Sequence, residues 1–442
     1  MSEYTPPINE AEFDNNFEQI KPLMNDTQAY YESSRCLFCY DAPCISACPT
    51  HIDIPLFIKQ INSGNTMGAA NTIYNSNYFG YSCGKVCPTE VLCEGACVYN
   101  LQDVKAIEIG RLQSYATSQA ISKNKKFYDI PEPSGRKVAV IGAGPAGISC
   151  ACELRQSGHE VDIYESKSKP SGLTVYGVAP YKITNKEALD EMKYLQDQFG
   201  YKIIFNTPVK SKEDFEELER KYDAVFLGIG LGETSELMIK GEDLDNCTGA
   251  VEFISELRTE QYRVKVGKKV IVLGGGNTAM DAASESSRMG AQKVILAYRR
   301  SKEEMGAYEF EYDLAKSVGV EGMFNVTPVE IIGNGKVEGV RFAETKIVNG
   351  KPGASDDTFI IECDMVIKAT GQMKQKSILD NIKDLKFDDK GKVIVNAETF
   401  QTSNKKFFAA GDMVNGGAEV VNAVSEAQLA AAGINNFLKY LD

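Results

Sequence analysis

The spacing of apolar and polar positions changes character near residue 135. Upstream, segments such as "DIPLFIKQINSGNTMGAANTIYN" place apolar residues at helical intervals, and little alternates with the period of two that marks a strand. Residues 1–134 therefore read as a small helical domain. The stretch "SKNKKFYDIPEPSGRK" is polar, carries two prolines and a glycine, and reads as a linker. From Lys137 the pattern becomes α/β, with short β-rich runs followed by helical stretches. Two of these units open alike, and there is no other internal repeat and no low-complexity tract.

The first opening is "KVAVIGAGPAGISCACELRQSGHEVDIYES". Gly142, Gly144 and Gly147 fit G-x-G-x-x-G between a strand and a helix: the first glycine permits the turn, the second lets backbone approach a pyrophosphate, and the third allows close helix-to-strand packing. The helix N-terminus then faces the phosphates. Glu165 ends the next strand, placed to accept ribose hydroxyls. The second opening, "KVIVLGGGNTAMDAASESSRMGAQKVILAYRRS", has Gly274, Gly276 and Ala279 in G-x-G-x-x-A, and its second strand ends in Arg299 and Arg300 instead of an acid. A guanidinium pair suits a 2′-phosphate, so this site predicts NADPH while the acid-ended one suits the adenosine half of FAD. Near the C-terminus, "KFFAAGDMVNGGAEVVNAVSEAQ" predicts a strand, an exposed Gly411-Asp412 turn and a small-residue helix, with Asp412 able to hydrogen-bond a flavin's ribityl chain or to cap the helix.

Cysteine usage adds a second chemistry. Of the 12 cysteines, eight fall between Cys36 and Cys97, in C-x2-C-x4-C-x3-C followed by "SCGKVCPTEVLCEGACVYN". The remaining Cys150, Cys152, Cys247 and Cys363 lie in apolar or turn sequence and read as inert thiols. No basic-then-apolar secretion pattern is evident, which argues against a disulfide framework and for a soluble cytoplasmic protein. The two histidines, His51 and His159, have no zinc-ligand spacing, and His159 is expected to face solvent. Iron–sulfur clusters beside flavin and nicotinamide sites fit better, and Cys48-Pro49 and Cys87-Pro88 have the form in which the last cysteine serves the other cluster. The net charge of −13 gives no overall positive field for nucleic acid or an anionic membrane.

Taken in order, "CLFCYDAPCISACPTHIDI", "CGKVCPTEVLCEGAC", "IEIGRLQ", "VIGAGPAG", "LGGGNTAMD", "YRRS", "ATGQ" and "AAGDM" resemble the N-terminal electron-input portion of dihydropyrimidine dehydrogenases and their separate bacterial small subunits. The likeness covers nearly the whole chain and extends, more distantly, to the glutamate synthase small subunit. It implies two 4Fe–4S clusters, FAD and a nicotinamide nucleotide. By resemblance Cys36, Cys39, Cys44 and Cys97 hold one cluster, and Cys48, Cys87, Cys93 and the amide oxygen of Gln113 the other, with Cys83 a bystander. The alternative, on chemistry alone, makes Gln113 a polar helix residue and Cys83 the eighth ligand. FAD contacts carried over in the same way are Ala143, Gly144, Pro145, Ala146, Gly147, Glu165, Gly172, Leu173, Lys182, Val209, Gly411, Asp412, Glu419 and Val420. Those for NADPH are Gly275, Gly276, Asn277, Thr278, Arg299, Arg300, Ala369, Thr370 and Gly371. The chain departs from the family pattern at Ser171, where the flavin loop has glycine, at Tyr181-Lys182-Ile183-Thr184 in place of Phe-Arg-Leu-Pro, and at Gly306, where a basic nucleotide contact is usual.

The expected architecture is a helical iron–sulfur domain over 1–134, then an FAD domain (135–233 and 372–442) interrupted by an NADPH domain (234–371), the crossings lying near "GIGLGETSE" and "ATGQMKQ". The expected activity is hydride transfer from NADPH to FAD, then single-electron transfer through two 4Fe–4S clusters to a separate FMN-bearing barrel subunit that reduces uracil or thymine. A glutamate synthase small subunit or a ferredoxin:NADP oxidoreductase subunit is the alternative, and a scaffold with structural clusters the non-enzymatic one. No acid–base residue is singled out, because the chemistry belongs to the cofactors.

Overall fold

The computed structural model describes residues 4–348 and 351–441. The chain divides into two compact units. The larger comprises residues 20–175, 182–231 and 374–441, and holds all eight clustered cysteines and the first glycine opening. The smaller comprises residues 4–19, 176–181 and 232–373 and holds the second opening.

In the larger unit the cysteine-bearing region is helical: Pro43–Ser46, Ile54–Asn62, Thr66–Tyr74, Gly80–Val86 and Ile109–Ser122. The apolar face of Ile54–Asn62 buries Phe57, Ile58 and Ile61 among Ile73, Phe79 and Leu112. Helices Gly80–Val86 and Ile109–Ser122 meet at two glycines. A Cβ on Gly84 would lie 2.7 Å from the Gly110 carbonyl oxygen, and one on Gly110 would lie 2.7 Å from that of Gly84. Only glycine permits this approach, and Cys83 of the first helix, its capping Cys87 and Gln113 of the second line one cavity.

The same unit contains a five-stranded parallel sheet in the order Phe407–Ala409, Ala224–Leu227, Lys137–Ile141, Glu160–Tyr164, Lys202–Ile204. Val138 is in register with Val161 on one side and Ala224 on the other. Strands covered on both faces are continuously apolar, which is why Val138, Ala139 and Val140 are all fully buried. The edge strand Phe407–Ala409 returns from far along the chain, so the sheet is complete only when the C-terminal segment has arrived. Helix Asn185–Phe199 starts at a capping box between Thr184 and Glu187, worth about 1 kcal/mol, and stops at Gly200 in the left-handed conformation.

The smaller unit has its own five-stranded parallel sheet, ordered Cys247–Gly249, Met365–Lys368, Lys269–Leu273, Lys293–Tyr298, Val320–Phe324. A three-stranded antiparallel sheet (Val326–Gly333, Val337–Val348, Lys351–Glu362) is also present, an element the motif reading does not anticipate. The segments entering and leaving this unit run antiparallel: Gly232 N–H donates to Met373 O, and Ser235 N–H to Gly371 O, each at 2.8 Å. Phe13 and Phe17 stack within this unit's core, and Arg288 donates to Asn16 O at 2.6 Å. Among the described residues no helix is long and apolar enough to cross a membrane.

Candidate functional site

Two cavities in the larger unit collect the clustered cysteines. Cys36, Cys39, Cys44 and Cys97 line one, with Ile54, Ile58 and Ile107 as apolar wall. Cys48, Cys83, Cys87, Cys93 and Gln113 line the other, with Ile52, Leu92 and Val421. The thiols of "RCLFCYDAPCISACPT" are therefore divided, Cys48 going to the second cavity. Among the described residues no three Cys, His, Asp or Glu groups converge on a point that one ion would fill. The thiols instead line cavity walls, as a four-iron cluster taking one ligand per iron requires. Burial pushes the Cys36 and Cys93 thiols above the usual thiol range, and that of Cys44 up to about 12. Cys87 is raised first by its hydrogen bond with Cys83 and then by burial. Such thiols ionise only against a strong positive charge, which bound iron supplies. The donor set and its setting fit 4Fe–4S clusters.

Both Gln113 and Cys83 reach the second cavity. Gln113 Nε2 donates to the Gly80 carbonyl at 2.6 Å, so its amide oxygen faces away from Gly80. Lys21 Nζ donates to Cys87 O (3.3 Å) and Thr89 Oγ1 (2.8 Å) and pairs with Glu90, placing a positive charge beside this cavity.

At the first glycine turn, Gly142 has φ +99, and a Cβ on Gly147 would sit 1.9 Å from Gly142 O. Pro145 opens the helix Pro145–Gln156 with Gly144 as its N-cap, and that cap has no side-chain partner for the first N–H groups. Gly172 (φ +53) closes over the turn, its missing Cβ 3.0 Å from Gly144 Cα. Glu165 is buried; Oε2 accepts the Ala143 N–H at 2.8 Å and Oε1 the Lys167 N–H at 2.7 Å. The glycine-lined cradle with free N–H groups fits a pyrophosphate. Ser171 takes φ +84, a conformation glycine adopts without strain, and its hydroxyl meets that of Thr174. Leu173 is exposed, Lys182 is buried, and Val209 is partly buried against the core that holds Ile141, Leu227 and Phe407.

Gly411 (φ +77) caps the short helix Asp412–Asn415, which Asp412 begins, and neither is exposed, contrary to the sequence expectation. Asp412 accepts the Ala418 N–H at 3.2 Å, and burial raises its carboxyl above the usual range. Glu419 and Val420 start the helix Val420–Lys439. Glu426, on that helix, holds the turn by accepting the Gly411 N–H at 2.8 Å. Sequence reading missed it, because nothing local links positions 411 and 426. His159 also departs from expectation: it is 7% exposed, held between Ser134 Oγ (2.6 Å) and Asn435 Oδ1 (2.9 Å).

The second glycine turn lies in the smaller unit. A Cβ on Gly274 would lie 2.4 Å from Ala369 O, and one on Gly275 2.5 Å from the Tyr298 ring. Gly276 has no neighbour within 4 Å of its missing Cβ and caps the helix Asn277–Arg288. Asn277 Oδ1 accepts the Tyr308 N–H, Thr278 is exposed, and Thr370 Oγ1 donates to Ser235 O. Gly371 has φ +100. Gly306 adjoins this turn, since Ala307 N–H donates to Gly275 O at 2.9 Å. Arg299 and Arg300 follow the strand Lys293–Tyr298, and among the described residues neither guanidinium has an ion-pair partner. The open cradle and two uncommitted guanidiniums fit a phosphorylated dinucleotide.

Comparison with known proteins agrees with this arrangement. Residues 13–125 match the family described as dihydropyrimidine dehydrogenase domain II, 4Fe-4S cluster, and residues 136–427 match pyridine nucleotide-disulphide oxidoreductase. The Escherichia coli (strain K12) glutamate synthase [NADPH] small chain is 34% identical, the match covering 96% of this chain and 94% of that protein. The NAD-dependent dihydropyrimidine dehydrogenase subunit PreT of the same organism is 32% identical over 96% and 98%. Among solved structures, Mycobacterium tuberculosis FprA in complex with NADPH shares the fold at TM-score 0.58 and 20% identity, covering 70% of this chain and 85% of that one. Thioredoxin reductase of T. acidophilum does so at TM-score 0.53 and 22% identity, covering 70% and 100%. The chain thus belongs to the family of NAD(P)H-dependent FAD and 4Fe–4S oxidoreductase subunits that includes glutamate synthase small chains and bacterial dihydropyrimidine dehydrogenase subunits.

Proposed function

We propose that this chain is the electron-input subunit of a cytoplasmic, hetero-oligomeric oxidoreductase: it oxidises NADPH, or reduces NADP in reverse, and passes electrons to a separate FMN-containing barrel subunit that reduces uracil or thymine. The observation that carries the reading is the separation of the eight thiols into two cavities within the unit that also holds the acid-ended glycine turn. When bound, the flavin and nicotinamide supply hydride transfer and the clusters supply one-electron transfer.

In this reading residues 135–233 and 372–442 bind FAD, and residues 234–371 bind NADPH. Ala143 to Gly147 and Gly172 give backbone to the FAD pyrophosphate, Glu165 its ribose contact, and Gly411, Asp412, Glu419 and Val420 the flavin-side contacts, with Leu173, Lys182 and Val209 completing the site. Gly275 to Thr278 and Ala369 to Gly371 cradle NADPH, and Arg299 and Arg300 grip the 2′-phosphate. Cys36, Cys39, Cys44 and Cys97 hold one cluster. Cys48, Cys87, Cys93 and Gln113 hold the other; the Gln113 amide oxygen is turned from Gly80, and Cys83, lining the same cavity, is the alternative eighth ligand.

Anaerobic addition of NADPH to the purified chain tests the input half: flavin and cluster absorbance should bleach together, and an unbleached spectrum overturns the reading. The 34% identity to a glutamate synthase small chain favours a second recipient, the glutamate synthase large chain. Mixing the reduced protein with each partner, followed by uracil in one case and by glutamine with 2-oxoglutarate in the other, separates the two. Reoxidation with only one partner names the recipient.

A further inference from the structure

Glu191 is a fully buried carboxylate that the cofactor assignments leave unused. It lies on the helix Asn185–Phe199, on the face that also buries Ala188, Met192, Leu195 and Phe199. There it accepts the N–H groups of Tyr81 (2.7 Å) and Ser82 (3.0 Å), the hydroxyl of Ser82 (2.5 Å) and that of Tyr74 (3.4 Å). Tyr81 and Ser82 begin the helix Gly80–Val86, which presents Cys83 and ends at Cys87. A carboxyl group taken out of water is tolerated only where hydrogen bonds replace its hydration. Here every donor it gathers comes from the cysteine-bearing region.

The link continues toward the second cavity. Gly80 precedes Tyr81, and its carbonyl oxygen accepts Gln113 Nε2 at 2.6 Å. A carbonyl can only accept, so this contact sets which end of the Gln113 amide faces Gly80 and keeps the oxygen off it, in a residue that lines the cavity of Cys48, Cys83, Cys87 and Cys93.

We propose that Glu191 is a positioning residue for the second cluster: by clamping Tyr81 and Ser82 it fixes the Gly80 carbonyl, and that carbonyl turns the Gln113 oxygen toward the cluster. This rests on the reading that Gln113 is a ligand there. A ligand's orientation set from outside the coordination sphere tunes a metal centre as surely as the ligand itself.

The test uses the reconstituted holoprotein, with iron content, EPR of the reduced state and the midpoint potential of each cluster measured for Glu191→Gln, Ser82→Ala and Gln113→Ala. Gln113→Ala should change one cluster's signal. Glu191→Gln should change that same signal and shift that potential, with the other cluster's signal and the flavin content at wild-type level. Ser82→Ala, which removes one donor and keeps the carboxylate, should shift it in the same direction by less, and it decides the matter if Glu191→Gln does not fold. If Gln113→Ala moves a signal and neither other variant does, or if both clusters change equally, the positioning role is wrong while the ligand reading stands. If Gln113→Ala moves neither signal, the ligand reading falls and the positioning role with it.

Discussion

Glu426 Oε2 accepts the Gly411 N–H at 2.8 Å while both carboxylate oxygens accept from the Asn415 amide. These bonds tie the Gly411-Asp412 turn to the helix Val420–Lys439. Glu426→Ala removes them and leaves the Gly411 N–H without its partner, a loss of about 2 kcal/mol for a bond to a charged acceptor. The expected outcome is partial FAD loss on gel filtration, read as a lower flavin-to-protein absorbance ratio, with cluster iron retained. Full flavin retention at unchanged melting temperature would contradict this role for Glu426.

Gly147→Ala is expected to be far more damaging. Its Cβ would lie 1.9 Å from the Gly142 carbonyl oxygen, and both are backbone positions that cannot swing away. Overpacking of this kind costs about 3 kcal/mol, so the variant should lose FAD and melt at lower temperature. At Gly276, where nothing lies within 4 Å of the missing Cβ, alanine should leave the melting temperature nearly unchanged. Equal melting temperatures for the two variants would mean that the first turn opens more easily than its geometry implies.

Both glycine turns were legible because strand, turn and helix are local and each glycine has a local reason. The division of cysteines was foreshadowed by the Cys-Pro pairs, which mark Cys48 as able to serve a different site from Cys44. Glu191 and Glu426 were not legible, since each is defined by partners distant in sequence: Glu191 meets Tyr81 and Ser82 110 and 109 residues away. One signal for Glu191 existed, an acid on the apolar stripe of Ala188, Met192, Leu195 and Phe199. His159 was misread because a turn position says nothing of Ser134 and Asn435 closing over it. That Phe13 and Phe17 belong to the core of the smaller unit was equally out of reach, as nothing in residues 4–19 names their distant partners.

Arg299 and Arg300 follow their strand with no acidic partner among the described residues, so they are available to an anion. In steady-state kinetics of the purified chain with an artificial acceptor, Arg299→Ala should raise the KM for NADPH about tenfold, equivalent to about 1.4 kcal/mol, and leave that for NADH within twofold. The double alanine variant should abolish the preference. Equal effects on both nucleotides would mean that the guanidiniums support the fold and do not read the 2′-phosphate.

The buried carboxyl of Glu191 makes stability depend on pH. Burial is the largest influence and outweighs the bonds from Ser82, Tyr81 and Tyr74, pushing its pKa up to about 7 from 4.5. In the unfolded chain the carboxyl ionises near its ordinary value, so between pH 4.5 and 7 the unfolded state gives up its proton first. The contribution of Glu191 to stability is therefore fully present below about pH 4.5, declines as pH rises through 7, and is level above that. Glu191→Gln has no proton to lose and should remove this part of the slope. The measurement is the melting temperature of wild type and variant at pH 5, 6, 7 and 8: the difference between them should change steadily from pH 5 to 7, in the sense that favours the variant, and then stay constant. A difference independent of pH would show that the folded protein holds Glu191 ionised throughout, its four donors outweighing burial.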